Sequence, residues 1–279
     1  MVNEELLDKY NRLLDYFSKL GNAAIAYSSG VDSTFMLYAA NEALPGAVMA
    51  VTAASNSFPA RERVEAIDYC KELGIKHVVV ETDELTLPGF TSNPPERCYI
   101  CKKHLFSLLI DAANEAGISN VCEGSNLDDL GDYRPGLVAI KELGVKSPLR
   151  EIGFTKAEIR EISKHLGLPT YKKPSFACLA TRFPYGELIT ADKLKMVEMA
   201  EDLLMDMGFE QVRVRIHGDI ARIEIMPSDF IRFLSDDIRI TVNNKLKEYG
   251  FNYVSLDLQG YRTGSMNETL TNPFPISLT

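Results

Sequence analysis

Ala23-Ala24-Ile25-Ala26-Tyr27-Ser28-Ser29-Gly30-Val31-Asp32-Ser33 decides how the first half of this 279-residue chain is read. Five apolar residues run into a turn of small, hydroxyl-bearing residues, and helical character resumes at residue 33. An apolar run bounded by turn residues predicts a buried strand. Small residues in the turn let backbone N–H groups approach an anion. The following helix N-terminus adds partial positive charge, and the serine hydroxyls add donors. No lysine follows the glycine, so this is not a Walker A loop, and it is not a GxGxxG turn. An ordinary strand-turn-helix with serine and aspartate caps gives the same short pattern.

Before the loop, residues 3–20 carry Leu6, Leu7, Tyr10, Leu13, Leu14 and Phe17 at helical spacing, and Gly21 ends the helix. After it, a helix over 33–43 stops at Pro45-Gly46. Strands at 48–53, 77–81 and 120–123 alternate with helices over 59–73 and 102–116, and further helices cover 135–143 and 156–166. This βα alternation predicts an α/β fold, a doubly wound parallel sheet with helices on both faces. Beyond 184–190 the pattern changes. A helix over 191–207, strands at 211–217 and 221–226 around Gly218-Asp219, a helical stretch to 249 and a strand at 253–258 predict a smaller C-terminal α+β domain. The expected organisation is 1–185 and 186–279.

Composition bounds the function. An apolar fraction of 46% and a charged fraction of 25% are ordinary globular values, and this length buries a core without disulfide staples. A net charge of −9 and a pI of about 5.1 argue against a nucleic-acid partner such as tRNA, but not against one local basic pocket. No apolar run approaches the roughly 18 residues of a membrane span. Residues 1–11 carry Glu4, Glu5 and Asp8 and lack the basic and apolar regions of a leader, so a cytoplasmic protein is expected.

Five cysteines, an odd number with no leader expected, do not suggest a disulfide framework. Cys98 and Cys101 make a C-x-x-C at a helix start, and Cys178 lies far along the chain in Lys173-Pro174-Ser175-Phe176-Ala177-Cys178. The helix N-terminus, Arg97, Lys102 and Lys103 all favour thiolate. The trio fits a zinc site completed by His104, a redox dithiol, three ligands of an iron–sulfur cluster with one open iron, or simple packing. Cys70 and Cys122, on apolar faces, read as packing. His77, His165 and His217 show no metal-ligand spacing and read as structural, with His104 a reserve ligand.

Gly124, Asn126, Asp128, Asp129, Asp132 and Arg134 follow the strand ending at 123, where ligands of a doubly wound sheet sit. A solvated acidic turn would look the same. Arg213 and Arg215 alternate along a strand and so share one face. Two guanidinium forks suit a substrate phosphate, with Arg182, Arg262 and Glu224 as companions, although a charged outer face would also alternate so.

The 28–33 segment resembles the PP-loop of ATP pyrophosphatases, S-G-G-x-D-S, with Ser29 at the first glycine position. That resemblance implies phosphate binding by Ser28, Ser29, Gly30 and Ser33, with Asp32 positioning Mg²⁺ or the loop. The chain as a whole resembles the LarE family of sulfur transferases. The likeness rests on Ala26-Tyr27-Ser28-Ser29-Gly30-Val31-Asp32-Ser33-Thr34, Glu123-Gly124-Ser125-Asn126-Leu127-Asp128-Asp129 and Gly131-Asp132-Tyr133-Arg134-Pro135-Gly136. It continues through Lys173-Pro174-Ser175-Phe176-Ala177-Cys178-Leu179-Ala180-Thr181-Arg182, Val212-Arg213-Val214-Arg215-Ile216-His217-Gly218, Ala221-Arg222-Ile223-Glu224 and Leu256-Asp257-Leu258-Gln259-Gly260-Tyr261-Arg262.

The resemblance implies an ATP-dependent sulfurtransferase acting on pyridinium-3,5-biscarboxylic acid mononucleotide. ATP adenylates a substrate carboxylate, and a sulfur nucleophile displaces AMP to leave a thiocarboxylate. Cys98, Cys101 and Cys178 together imply the type carrying a [4Fe–4S] cluster and taking sulfide or another sulfur donor. The other type sacrifices the cysteine at 178 and leaves dehydroalanine. A homo-oligomer is also implied. Competing functions are a PP-loop tRNA-thiolating enzyme, an ammonia-using synthetase and a non-catalytic ATP sensor that stores a cluster.

Overall fold

The computed structural model describes residues 3–131, 135–174, 176–262 and 264–269. By their contacts the described residues form two units, one within Met1–Thr82 and Cys98–Phe176, the other within Asp83–Arg97 and Ala177–Phe274. The chain thus enters the second unit briefly at 83–97 and returns to it at Ala177, upstream of the 185/186 boundary expected from the sequence.

The first unit is α/β. Helix α1 (Glu4–Leu20) starts where the Asn3 side chain accepts the Leu6 N–H and stops at Gly21, whose φ of 74° suits a residue without Cβ. Its buried side chains Leu6, Tyr10, Leu13 and Phe17 recur at three- and four-residue steps. Then come β1 (Ala23–Ala26), α2 (Val31–Ala43), β2 (Val48–Ala54), α3 (Ala60–Glu72), β3 (Lys76–Glu81), α4 (Arg97–Glu115), β4 (Val121–Cys122), α5 (Gly136–Glu142), α6 (Pro148–Ile152) and α7 (Lys156–His165).

The four strands are parallel, in the order β3-β2-β1-β4. Successive side chains alternate between faces, so Ala23 and Ile25 of β1 join one core and Ala24 the other. The first core takes buried side chains of α1, α2, α3 and α7, including Phe17, Phe35, Ala66 and Ile159. The second takes Phe106, Leu109, Leu137 and Ile140 of α4 and α5. Helices therefore cover both faces, as the βα alternation predicts. The strand order reverses between β1 and β4, which opens a crevice at their carboxyl ends.

The second unit contains α8 (Ala191–Asp206), β5 (Val212–His217), β6 (Ile220–Ile225), α9 (Phe230–Phe233), α10 (Asp236–Glu248) and β7 (Tyr253–Leu256). Its mixed sheet has the order β5-β6-β7: a tight antiparallel hairpin, then a parallel crossover through the two helices. The helical stretch expected after β6 is broken into a 3₁₀ turn at Pro227–Asp229 and two helices. Leu194, Val197, Ala200 and Leu204 of α8 are buried, as are Val212, Val214 and Ile216 of β5. Among the described residues no helix is long and apolar enough to cross a membrane.

Candidate active site

The residues after β1 and after β4 meet at the switch point. Tyr27 extends β1 by donating its N–H to the Val51 carbonyl at 2.9 Å. Ser29 then takes φ of +52°, the left-handed region, at the position where the PP-loop pattern has glycine. A side chain there costs about 1 kcal/mol. Ser29 is tied down: its hydroxyl donates to the Glu62 carbonyl at 3.0 Å, and Lys173 Nζ donates to its carbonyl at 3.1 Å and its Oγ at 3.2 Å. Gly30 is the N-cap of α2, and no side chain caps that end among the described residues. Ser33 Oγ lies 3.3 Å from the Ser28 N–H and 3.2 Å from Ser28 Oγ, which closes the turn.

Gly124, after β4, permits the approach: a Cβ there would meet the Ser33 nitrogen at 3.3 Å and Asp32 Cβ at 3.4 Å. Asn126 donates its side-chain amide to Asp32 at 3.4 Å, and its backbone N–H reaches Asp129 at 2.9 Å. The expected acidic turn is a 3₁₀ turn, Leu127–Gly131. Asp128 accepts the Lys156 backbone N–H at 2.9 Å. Glu123 accepts the N–H and hydroxyl of Ser125 and the hydroxyl of Ser147. Asp132 and Arg134 lie outside the described residues.

Two lysines that the sequence did not single out as site residues complete this region. Lys156, at the start of α7, pairs with Asp32 at 2.5 Å. Lys173 pairs with Glu62 at 2.7 Å and with Glu65. They lie 124 and 144 residues from their loop partners, and no spacing rule could have found them. Burial raises the Asp32 pKa above the ordinary carboxylate value; Lys156 opposes the shift, and Asp129 adds to it. Burial likewise raises Glu62, with Lys173 opposing. Both are negative groups beside a loop built for an anion, and each depends on a lysine for neutralisation.

Cys98 and Cys101, both half-buried, stand three apart in the first turn of α4. Helical neighbours at that spacing share a face. Cys178 is exposed and belongs to the second unit. His104 is half-buried on α4. Among the described residues no group of three or more His, Cys, Asp and Glu gathers as a metal site. Cys70 and Cys122 are buried, and burial pushes both thiols up to about 12.

In the second unit the turn after Cys178 is held by guanidinium groups. Arg182 is fully buried and donates to both Glu201 oxygens at 2.8 and 2.7 Å. Its remaining amine reaches the carbonyls of Ala177 at 2.7 Å and Cys178 at 3.1 Å. Arg215 donates to the Thr181 carbonyl at 2.9 Å and Arg97 to the Ala180 carbonyl at 2.8 Å. Arg215 also forks onto Glu224 at 3.2 and 3.0 Å.

Arg213 and Arg215 are only 4% and 5% exposed, which rules out the solvated outer face as their setting. Arg213 lies over the Tyr261 ring at 5.3 Å. Burial, with Arg182 nearby, pushes its guanidinium down to about 10, although Glu201 pulls the other way. Arg262 is further out, on Asp257 at 3.4 Å and the Gly260 carbonyl at 3.2 Å.

No family model matches the chain. Individual proteins do. An uncharacterized protein of Synechocystis is 43% identical over 266 residues, covering 95% of this chain and 99% of its own length. A component of the glutamine-hydrolysing GMP synthase of Thermoplasma volcanium is 28% identical over 216 residues, 68% of each chain. The pyridinium-3,5-bisthiocarboxylic acid mononucleotide synthase of Lactiplantibacillus plantarum is 39% identical over 267 residues, 95% of this chain and 96% of that one. With that identity along nearly the whole of both chains, and with a loop and crevice of the expected kind, this protein belongs to the LarE family.

Proposed function

We propose that this chain is an ATP-dependent sulfurtransferase that converts the carboxylates of pyridinium-3,5-biscarboxylic acid mononucleotide to thiocarboxylates. The observation that carries this reading is the uncapped N-terminus of α2 behind the turn of Ser28, Ser29 and Gly30, at the point where the strand order reverses. Backbone N–H groups and hydroxyls there suit the β- and γ-phosphates of ATP. The substrate class follows from the L. plantarum relative's name.

A substrate carboxylate oxygen attacks the α-phosphorus, and pyrophosphate leaves into the loop. Ser28, Ser29, Gly30 and Ser33 hold it, while Gly124, Asn126 and Asp129 border the adenylate, a role that the family resemblance also implies for Arg134. Asp32 and Asp129 are the carboxylates suited to Mg²⁺, which screens phosphate charge when bound. A sulfur nucleophile then adds to the acyl carbon and AMP departs. Arg213 is the group best suited to the substrate phosphate, because an anion beside it offsets the burial that depresses its pKa. Arg182, Arg215 and Glu224 are its companions, with Arg262 further out.

Cys98, Cys101 and Cys178 supply three thiols, the donor set of a [4Fe–4S] cluster with one open iron. Such a cluster would carry the sulfide. The exposure of Cys178 favours a second reading. Its thiolate attacks the adenylate to give a thioester; loss of the Cα proton then breaks the Cβ–S bond, leaving thiocarboxylate and dehydroalanine. The test is anaerobic reaction with ATP, sulfide and the pyridinium substrate, followed by mass spectrometry and iron and sulfide assays. Repeated thiocarboxylate formation by iron-containing protein supports the cluster route. Iron-free, colourless protein after reconstitution sinks it, and loss of one H₂S at Cys178 selects the sacrificial route. Absence of AMP and pyrophosphate would refute adenylation itself.

A further inference from the structure

Lys173 sits five residues before Cys178 in sequence, yet its side chain lies in the first unit against the phosphate loop. Its ammonium is largely buried, at 13% side-chain exposure, between Glu62 and Glu65 on one side and the Ser29 carbonyl on the other. The backbone carrying it is also pinned. Arg160 of α7 donates to the Tyr171 carbonyl at 2.7 Å and the Lys173 carbonyl at 2.8 Å. This lysine therefore has little freedom of its own.

We infer that Lys173 is a positioning residue that sets the direction of the Ser29–Gly30 peptide and so prepares the loop for the polyphosphate. In a planar trans peptide the C=O and the next N–H point in opposite directions. With the Ser29 carbonyl drawn toward Lys173, the Gly30 N–H is turned away from it. Glu62 completes the lock by taking the Ser29 hydroxyl on its carbonyl and the ammonium on its carboxylate. The lock also holds Ser29 at its positive φ without the freedom of glycine. A loop with no lysine of its own borrows one from the segment that leads to Cys178. The positive charge serves the backbone, not the phosphate directly.

This inference rests on the nucleotide reading above, and its test separates the two. Lys173→Met alone strands two carboxylates, so Lys173→Met/Glu62→Gln is made beside it, with Lys173→Arg as the conservative variant. Binding of Mg–ATP, pyrophosphate and AMP is measured by calorimetry on the full chain, with thermal unfolding as control. The double variant is expected to lose about tenfold in affinity for ATP and pyrophosphate, and Lys173→Arg to recover part of it. AMP, which does not reach the loop, is expected to change by less than about twofold. Unchanged ATP and pyrophosphate binding in the folded double variant overturns the inference. So does an equal loss of AMP and ATP, which marks a general structural role. Failure of the wild-type protein to bind ATP overturns the nucleotide reading instead.

Discussion

At the scale of single residues, the loop depends on contacts that its own sequence does not contain. Burial raises the Asp32 pKa, and Lys156 is the counter-charge that opposes the shift. Lys156→Met is expected to weaken ATP binding by about 1–2 kcal/mol, because a carboxylate left without its cation faces the phosphates. The loss should shrink as pH falls toward the raised Asp32 pKa, since the unpaired acid then takes up a proton. A pH series of ATP titrations checks the sign. Gly124→Ala places a methyl group 3.3 Å from the Ser33 nitrogen. The loop must give way, so ATP affinity should fall several-fold while the unfolding midpoint drops by about 1 kcal/mol equivalent. Equal ATP affinity in that variant would show that β4 can recede without disturbing α2.

At the scale of elements, α7 and the Cys178 turn each organise a site by binding backbone. The first turns of α7 bring Lys156 to Asp32 and Arg160 to the carbonyls of Tyr171 and Lys173, at i and i+4 on one helix. In the second unit, Arg97, Arg182 and Arg215 donate to the carbonyls of Ala177, Cys178, Ala180 and Thr181 and so fix the course of the turn. Burial disfavours charge on Arg182, and Glu201 more than offsets it, so the pair stays ionised. Arg182→Met should cost about 3–5 kcal/mol, because a buried carboxylate loses its partner. Arg182→Met/Glu201→Met should restore much of that stability without restoring the Cys178 turn. Denaturant unfolding measures the first effect, and labelling of Cys178 by a thiol reagent measures the second.

At the scale of the whole molecule, a side-chain relay links three strands to the loop. His77 on β3 lies 2.8 Å from Thr52 Oγ1 on β2, and Thr52 donates to the Tyr27 carbonyl beyond β1. The Thr52 hydrogen is thereby used, so His77 donates from Nε2. Burial lowers its pKa. An imidazole with a folded pKa below its unfolded value of about 6.5 contributes stability that is present above that pH and lost as pH falls through the folded pKa. Denaturant midpoints should therefore drop more between pH 7.5 and pH 5 in the wild type than in His77→Gln; equal slopes would show that burial does not depress this imidazole. The α/β class, the loop and the four parallel strands were legible in the sequence, because burial on both sheet faces writes continuous apolar runs and glycine stops into the chain. The pairing of Lys156 with Asp32 and of Lys173 with Ser29 was not, because ion pairs between distant segments leave no periodic trace. Nor was the burial of Arg213 and Arg215, since alternation along a strand assigns faces but not what covers them. The strand-loop-helix unit at Ser28–Ser33 and the family are written in the order of the residues. Which charges hold that loop in shape is a property of the folded chain, because Lys156 and Lys173 meet Asp32 and Ser29 only when the sheet and its helices close around them.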